Sequence, residues 1–499
     1  MRLLLPRISL LPALIAWAWP LQSLAVIAAG AAAEIIDLQG QGDQRTASAA
    51  EWRPARQAQM LSAGDFVRTR DAARMALVFA DETQLRLHQN TVLQVKTIAT
   101  AGQPVTTLHL DAGRAWTQTR RPAGSPLQME TPAATAAIRG TDWHISVEPD
   151  GRTLLTVLSG TVDFGNDQGR IAVGASEAAY AEVGKAPIKL VLGQPRDRVQ
   201  WVNALQADPV PHLTAAPLPA ALEPVRIALT ARDTTAARAA LDPVRASTPP
   251  QWVAAMDAAI ALQAGEWQQA RALLERQLPH KPPLLVWLMQ SDMQLMDGEG
   301  QAAVLALRAA LEQWPAHPAL LAHLARAQLL SDRVPEAQAT LAAAKDVKDP
   351  ELALARAALA RRQGDAPATL SAYTEATALA PQDARGWLGL GSVHTERENT
   401  GPARQHLQHA LALDPHTAGA QGERGTLETF ANRFTEAEAA FSSALEDHPA
   451  DYVALTGQGL LRLKQGQPEA ALDDFLRAGV MEPRYARART WTAVAYYQL

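Results

Sequence analysis

The sequence contains no cysteine among its 499 residues. This absence excludes disulfide bonds, metal sites built on thiolates and cysteine nucleophiles. Aromatic residues are also scarce, at 5%, and the formal net charge is only −5. Proteins that bind nucleic acid usually carry a basic patch or stripe, so no nucleic-acid partner is expected. With 47% apolar residues, the chain is long and apolar enough to form two or three packed units.

Residues 1–33 have the pattern of an export signal. Arg2 and Arg7 precede a largely apolar, uncharged stretch over residues 8–29, and the alanines at 31–33 offer a small-residue cleavage site. We therefore expect cleavage and a periplasmic protein of a Gram-negative envelope. The alternative is an uncleaved N-terminus that anchors the chain, because the stretch approaches the roughly 20 residues that span a bilayer. No later stretch is apolar enough to cross a membrane, so no stable transmembrane segment is expected after cleavage.

Residues 34–195 are predicted to form an all-β domain. Apolar and other residues alternate from Met75 to Phe79 and from Leu85 to Leu87. This alternation predicts strands with one face toward a core and the other toward water. Many short strands at near-regular spacing indicate a closed or coiled sheet, and the residues alone leave a sandwich and a β-solenoid both open. His144, inside one such strand, is expected to face solvent.

Several motifs follow one another in this region in a recognisable order. They are GDFVRT at 64–69, LVFAD at 77–81, LRL at 85–87 with NTVL at 90–93, GRAW at 113–116, METP at 129–132 with AIRGT at 137–141, and LSGTV at 158–162. Over roughly residues 61–183 they resemble the periplasmic FecR domain of iron-uptake regulators. The resemblance implies a twisted, β-solenoid-like domain that binds periplasmic protein partners. Because only about 30 signal-like residues precede it, in place of the family's cytoplasmic sigma-factor-binding segment and membrane helix, direct sigma-factor control is not expected.

The segment ATAAIRGTDWHI, residues 134–145, is the least generic stretch of the chain. Gly140 stands between a turn and a strand, where glycine permits a positive φ or a close backbone approach. Arg139 has five donors and keeps its proton, which suits a fixed bond to carbonyls or a carboxylate. No histidine, acid and nucleophile surround it. We therefore interpret Arg139, Gly140 and Thr141 as a structural corner and not as a catalytic site.

From residue 251 the pattern changes to paired helices of constant period. Signature residues recur from starts near 251, 284, 318, 350, 384, 418, 452 and 486. Each first helix has a small residue where the second helix crosses it: Ala258, Ser291, Ala325, Ala357, Gly391, Gly425 and Gly459. The second helix is expected to meet it with an alanine or threonine: Ala270, Ala303, Ala337, Thr369, Ala403, Ala437 and Ala471. Prolines are expected to end second helices: Pro315, Pro381, Pro415, Pro449 and Pro483.

This period resembles that of tetratricopeptide repeats, which is about 34 residues. It predicts an all-α superhelix over residues 251–499, with seven repeats and a partial eighth. Residues 196–250 are predicted to be a proline-rich linker followed by helices that cap the array.

The first helices of such an array line a concave inner surface, where these solenoids usually bind peptides. Counting along the helices places eight residues there: Arg326, Arg361, Arg362, Arg385, Ser392, Glu396, Thr429 and Lys464. The four arginines form a candidate basic cluster for a carboxylate or an acidic segment. The alternative is that they are ordinary charges on a solvated face. Asparagines that accompany such clusters in chaperone-binding members of the family are missing, so that partner class is not expected.

No catalytic, cofactor or metal motif is found, and an enzyme is not expected. His406 and His409 lie three apart on one helix and suit a shared metal, but no third ligand has a convincing spacing. Asp473 and Asp474 are expected on the outer surface of a helix, without an acid–base partner.

The sequence thus predicts a non-catalytic exported scaffold that binds protein or peptide partners in the cell envelope, with no cofactor and no metal. Two alternatives remain. One is a ligand-sensing periplasmic regulator that signals to a membrane partner. The other is a protein that binds peptidoglycan or another polysaccharide.

Cleavage of the export signal gives a direct test of location. N-terminal sequencing of the protein in the osmotic-shock fraction should find Glu34 as the first residue. The variant Ala33→Leu puts a large residue at the cleavage site and should leave the precursor uncleaved. Recovery of the native chain in the membrane pellet with Met1 intact would instead identify an anchored protein.

Overall fold

A computed structural model shows a sheet-rich region followed by a long array of helices. It describes residues 33–80, 82–99, 105–119, 127–138, 141–190, 208–214, 218–278, 281–448 and 450–499. The predicted export signal, apart from its last residue, and the Arg139–Gly140 step lie outside the described residues. The predicted fold class, an all-β domain before an all-α superhelix, is confirmed.

The strands are β1 (Ala33–Gln39), β2 (Gly42–Arg45), β3 (Arg53–Pro54), β4 (Gln59–Leu61), β5 (Phe66–Thr69), β6 (Arg74–Phe79), β7 (Gln84–Leu87), β8 (Val92–Thr97), β9 (Thr106–Gln118), β10 (Leu127–Glu130), β11 (Thr135–Ile138), β12 (Asp142–Val147), β13 (Thr153–Ser159), β14 (Thr161–Asn166), β15 (Gly169–Gly174), β16 (Ala178–Ala181) and β17 (Ile188–Leu190).

The helices are α1 (Glu223–Thr230), α2 (Thr234–Leu241), α3 (Pro250–Gln263), α4 (Trp267–Gln277), α5 (Leu284–Met296), α6 (Gly300–Gln313), α7 (Pro318–Leu330), α8 (Val334–Ala343), α9 (Pro350–Gln363), α10 (Ala366–Leu379), α11 (Ala384–Glu396), α12 (Thr400–Leu413), α13 (Ala420–Phe430), α14 (Phe434–Asp447), α15 (Tyr452–Lys464), α16 (Pro468–Met481) and α17 (Ala486–Gln498).

The strands form two sheets that share the long strand β9. The first sheet has the order β4, β1, β6, β7, β9, β12, β13, β16 and β17. The second has the order β3, β2, β5, β8, β9, β10, β11, β14 and β15. Within the described strands, β9 and β10 form a parallel pair and the other pairs are antiparallel. The chain therefore passes repeatedly between the sheets, which enclose one apolar core.

Strands β6, β7 and β12 are buried on both faces, contrary to the prediction that one face meets water. Their core-facing side chains are buried as predicted. The opposite face of the first sheet is covered by the last helices of the array, because Ala76 and Val78 pack with Leu455 and Val480. The expectation that His144 faces solvent is therefore wrong, since its side chain is only 2% exposed.

Helices α3 to α16 form seven successive antiparallel pairs, and α17 follows as a further first helix. Six first helices, α5, α7, α9, α11, α15 and α17, begin at the residue that the sequence period predicts, while α3 begins one residue earlier and α13 two residues later. Helices α6, α10, α12 and α16 end two residues before their predicted prolines. Pro449 lies outside the described residues.

At two crossing points the paired helices approach so closely that only glycine fits. A Cβ atom on Gly425 would lie 2.3 Å from Cε1 of Phe441, and one on Gly459 would lie 2.5 Å from Cε1 of Phe475. The sequence analysis expected the alanines at 437 and 471 at this contact. The nearest atoms instead belong to Phe441 and Phe475, one helical turn after these alanines, because each phenylalanine ring extends back over the crossing point.

The sheet also contacts the array at its C-terminal repeats. Arg86 is buried and donates from Nη1 to the carbonyls of Met481 (2.9 Å) and Val480 (3.2 Å) at the end of α16. Arg477 donates from Nη2 to a carboxylate oxygen of Glu34 at 2.7 Å. Charged groups therefore attach β1 and β7 to the last helix pair.

A second contact joins the sheet to the N-terminal repeats. His88 lies 3.2 Å from the carbonyl of Asp297, which follows α5, through its Nε2 atom. The guanidinium of Arg74 lies 3.8 Å from the Asp297 carboxylate, and Arg271 of α4 pairs with the same carboxylate at 2.5 Å. The β domain thus bridges early and late repeats of one superhelix.

Packing at Gly425 predicts a selective loss of stability. Gly425→Ala should lower the free energy of unfolding by about 1–3 kcal/mol, because the new methyl group overlaps the Phe441 ring. Gly401→Ala in α12 is the matched control, since a Cβ there meets nothing within 4 Å. Denaturant unfolding followed by circular dichroism measures both. Equal effects of the two substitutions would contradict the packing argument.

Candidate functional site

The inner surface of the array is built from equivalent places in successive first helices. Asp292, Arg326 and Ser392 each follow directly after the small residue at the helix crossing point. Side chains here contact the first helix of the next repeat: Arg326 lies 3.7 Å from Asp292, and the Ser392 hydroxyl donates to Glu423 at 3.0 Å. Neighbouring first helices are therefore joined by polar contacts at these places.

Each of the four predicted arginines lies beside a carboxylate of the chain itself. The pairs are Arg326 with Asp292, Arg361 with Glu396 (3.3 Å), Arg362 with Asp332, and Arg385 with both Glu351 and Asp383. The side chains of the first three arginines are 42%, 40% and 41% exposed. The positive charge of this cluster is thus balanced locally.

Arg385 differs from the other three because it is held from two sides. Burial alone would lower its pKa, but the carboxylates of Glu351 and Asp383 raise the pKa above the ordinary value. Its guanidinium is therefore fixed between two first helices as a structural cation.

The remaining predicted residues fall into two groups. Ser392 and Glu396 join Arg361, whose Nη2 atom lies 3.3 Å from the Ser392 hydroxyl. Thr429 is buried and donates to the carbonyl of Gly425 in its own helix, so its hydroxyl is already used. Lys464 donates to the Thr429 carbonyl at 3.1 Å. The structure thus brings Arg361, Ser392 and Glu396 together. Thr429 and Lys464 form a separate contact.

Arg487 completes the first group, although the sequence analysis did not predict it. From α17 it donates to Glu423 at 3.1 Å and to Glu396 at 3.2 Å, which is 91 residues away. Arg484 donates to the carbonyl of Leu330 at 3.1 Å, across 154 residues. The last repeats therefore approach the third, fifth and sixth. A sequence signal was present, since Arg487 occupies the same place in its repeat as Arg385.

A second buried cluster lies on α5 and α7. His212, from the linker, approaches Asp292 with a distance of 2.8 Å between Nε2 and Oδ2. Its ring lies 4.8 Å from the ring of His323, measured between centroids. Burial raises the pKa of Asp292, but Arg326 and His212 oppose it, and the net pKa is lowered. Burial lowers the pKa of His323 to about 3.

Thr141 is the described member of the predicted corner. Its side chain is buried, its N–H donates to the Thr119 hydroxyl at 3.1 Å, and its carbonyl accepts from the Thr119 N–H at 3.0 Å. These bonds join the residues before β12 to the end of β9. The structural role of the whole motif stays a prediction.

The histidines considered for metal binding lie in an aromatic cluster. His394 stacks on His406 at 5.4 Å, and His409 meets the Trp387 ring edge-on at 4.5 Å. Burial lowers the pKa of both His394 and His406. Over the described ranges, no three histidine, aspartate or glutamate side chains are arranged to hold a metal ion. Nor does any described helix have the length and apolar character to span a bilayer.

The expectation that Asp474 lies on an outer surface is wrong. Asp474 is 3% exposed and pairs with Arg462 of α15 at 2.7 Å. Asp473 is exposed and pairs with Arg477. Two adjacent residues on a helix point about 100° apart, so one carboxylate turns into the helix pair while its neighbour stays outside.

Protonation of His323 should destabilise the array. Its pKa is lower in the folded chain than in the unfolded chain, so the stabilising effect is present above pH 6.5 and is lost as the pH falls toward 3. The free energy of unfolding should fall by roughly 1–2 kcal/mol between pH 6.5 and pH 5 from this group. The His323→Gln variant should lose that part of the pH dependence. The exposed His416→Gln control should keep it, and equal pH profiles of native and His323→Gln proteins would contradict the assignment.

Comparisons with known proteins agree with this architecture. The sequence model of the FecR protein family matches residues 65–163. Tetratricopeptide repeat models match residues 294–361, 354–418, 423–480 and 456–499. No curated protein matches the sequence.

Several solved structures are similar in part. A putative anti-sigma factor from Parabacteroides distasonis is 15% identical over 28% of this chain and 64% of its own, with a TM-score of 0.26. A tetratricopeptide repeat protein from Parabacteroides merdae is 14% identical over 49% of this chain and 98% of its own, with a TM-score of 0.36. The pilF protein of Pseudomonas aeruginosa is 17% identical over 42% of this chain and 96% of its own, with a TM-score of 0.33.

The chain therefore contains a FecR domain at residues 65–163, followed by tetratricopeptide repeats at residues 294–499.

Proposed function

We propose that this chain is a non-catalytic exported scaffold that binds an acidic protein or peptide segment on the inner surface of its repeats in the cell envelope. The observation that carries the proposal is the state of Arg361 and Arg362. Both residues are at predicted inner-surface positions, their side chains are about two-fifths exposed, and both are paired with carboxylates that are themselves partly exposed. They are preformed positions for a carboxylate of a partner.

Exchange of these carboxylates is energetically easy. Exposed ion pairs contribute only about 0–1 kcal/mol each, so a partner carboxylate replaces Glu396 or Asp332 at small cost. Arg326 and Arg385 are different, because each compensates a carboxylate that is buried or nearly so: Asp292 is 6% exposed and Glu351 is 19% exposed. Their first role is to stabilise the array. Arg361 and Arg362 are the two arginines whose carboxylate partners can be replaced by those of another protein.

A ligand-sensing regulator is the second candidate function. The bridge from the β domain to both early and late repeats favours it, because a ligand that shifts the β domain acts on both contacts. The FecR match and the pattern of an export signal support a place in the periplasm for either function. Polysaccharide binding by the β domain stays a prediction, tested by pull-down on isolated cell wall.

The double variant Arg361→Ala, Arg362→Ala tests the scaffold. Crosslinking in intact cells, followed by mass spectrometry, should show loss of the partners that the native chain captures. Binding of a captured partner to the native chain should also weaken as salt rises, since exposed charges are screened. Thermal stability should change little, because the deleted pairs are exposed.

The control is the double variant Arg226→Ala, Arg245→Ala. These arginines also form partly exposed ion pairs: Arg226 pairs with Glu223, and Arg245 pairs with Asp242 and Asp257. The pairs lie before the repeats or at the start of the first repeat, away from Arg361 and Arg362 along the chain. It should capture the same partners as the native chain. Full capture by the Arg361, Arg362 variant would show that the inner surface is merely solvated.

A further inference from the structure

A short segment of the linker lies against the inner surface of the array. Residues 208–214 include a single 3₁₀ turn, Val210–Thr214, that contacts α5 and α1. Pro209 and Leu213 are buried, and His212 is 3% exposed. Asp208 pairs with Arg232 at 2.9 Å and fixes the start of the segment. A connector between domains usually runs over the surface in contact with water, so this degree of burial needs an explanation.

The contacts of the segment are those of a bound peptide. His212 approaches the Asp292 carboxylate at 2.8 Å, and its ring meets the ring of His323 edge-on. Leu213 joins the apolar cluster that contains Val286 and Met289 of α5. One polar anchor and one apolar anchor thus stand side by side, which is the pattern by which short peptides are held in a groove.

The receiving residues belong to the surface that the proposed function assigns to partners. Asp292 occupies the same place in its repeat as Arg326 and Ser392. Only one of its two oxygens, Oδ2, is hydrogen-bonded within the described residues, while Oδ1 faces His323 and Arg326 at 3.9 and 3.7 Å. The Nδ1 atom of His323 is likewise buried without a hydrogen bond among the described contacts. His323 therefore offers a polar atom that the linker does not use.

We infer that residues 208–213, Asp-Pro-Val-Pro-His-Leu, are a built-in ligand of the second and third repeats. They occupy a peptide-binding site. The site accepts a short segment in which prolines precede a histidine that is followed by leucine. A partner segment of the same chemistry binds there only after the linker leaves. The inference rests on the proposed function, because it assigns a second site to the same inner surface. This site is distinct from the Arg361 and Arg362 pair, which takes carboxylates.

The absence of cysteine makes the state of the linker measurable. Val210→Cys places a single thiol inside the docked segment, at a half-buried position that is not one of the two anchors. Its maleimide labelling should be severalfold slower than that of a free thiol, because full access to it requires the linker to open. A peptide of residues 207–214, ADPVPHLT, added at millimolar concentration should accelerate labelling severalfold by competing for the site. The same peptide with alanine in place of histidine should not accelerate it.

A second variant separates docking from local folding. Adding Asp292→Asn to Val210→Cys removes the charged acceptor and should give fast labelling without peptide, while circular dichroism confirms that the helices remain. Fast labelling in the Val210→Cys protein alone would show that the linker is not docked. Slow labelling that neither peptide changes would show a permanent strap, and both results overturn the inference. Neither readout depends on partner capture by Arg361 and Arg362, so failure of the proposed function is recognised separately.

Discussion

The contact between Arg86 and the end of α16 fixes how the two parts of the molecule lie together. A buried guanidinium is unfavourable unless acceptors surround it, and burial lowers the pKa of Arg86. The acceptors are the carbonyls of Val480 and Met481, which belong to the last turn of a helix and have no partner within it. The negative end of the α16 helix dipole also lies toward the Arg86 guanidinium and attracts its positive charge. One side chain of the sheet thus donates to the carbonyls that a helix of the array leaves unpaired at its end.

Much of the first sheet follows from that contact. With α16 held against β6 and β7, the side chains of Ala76 and Val78 lose their access to water. Charged contacts add to it, with Glu34 beside Arg477 and Arg74 beside Asp297. A domain boundary of this kind contains more ion pairs than a protein core, and it specifies orientation because each charge has to meet its own partner.

The sequence predicts the features that depend on local spacing. Six first helices begin at the expected residue, because each repeat needs the same small residue and the same helix ends. The alternation from Met75 to Phe79 correctly predicts which side chains enter the core. It does not predict what covers the other face, so His144 is expected outside and is found inside. Asp474 is also found inside, because its carboxylate turns into its helix pair and meets Arg462. Arg487 reaches Glu396 only because of the pitch of the superhelix, which no pattern within a single repeat encodes.

The bridge between early and late repeats also has a mechanical consequence. In an array whose units contact only their neighbours, small rotations between units add up, and the whole behaves as a spring. Here the sheet fixes two distant points of the spring, one at Asp297 and one at Met481. Extension or further coiling therefore has to strain or break one of these attachments. Changes in the length of the array between the two points are therefore restrained, and pulling on the β domain loads the array at both points together.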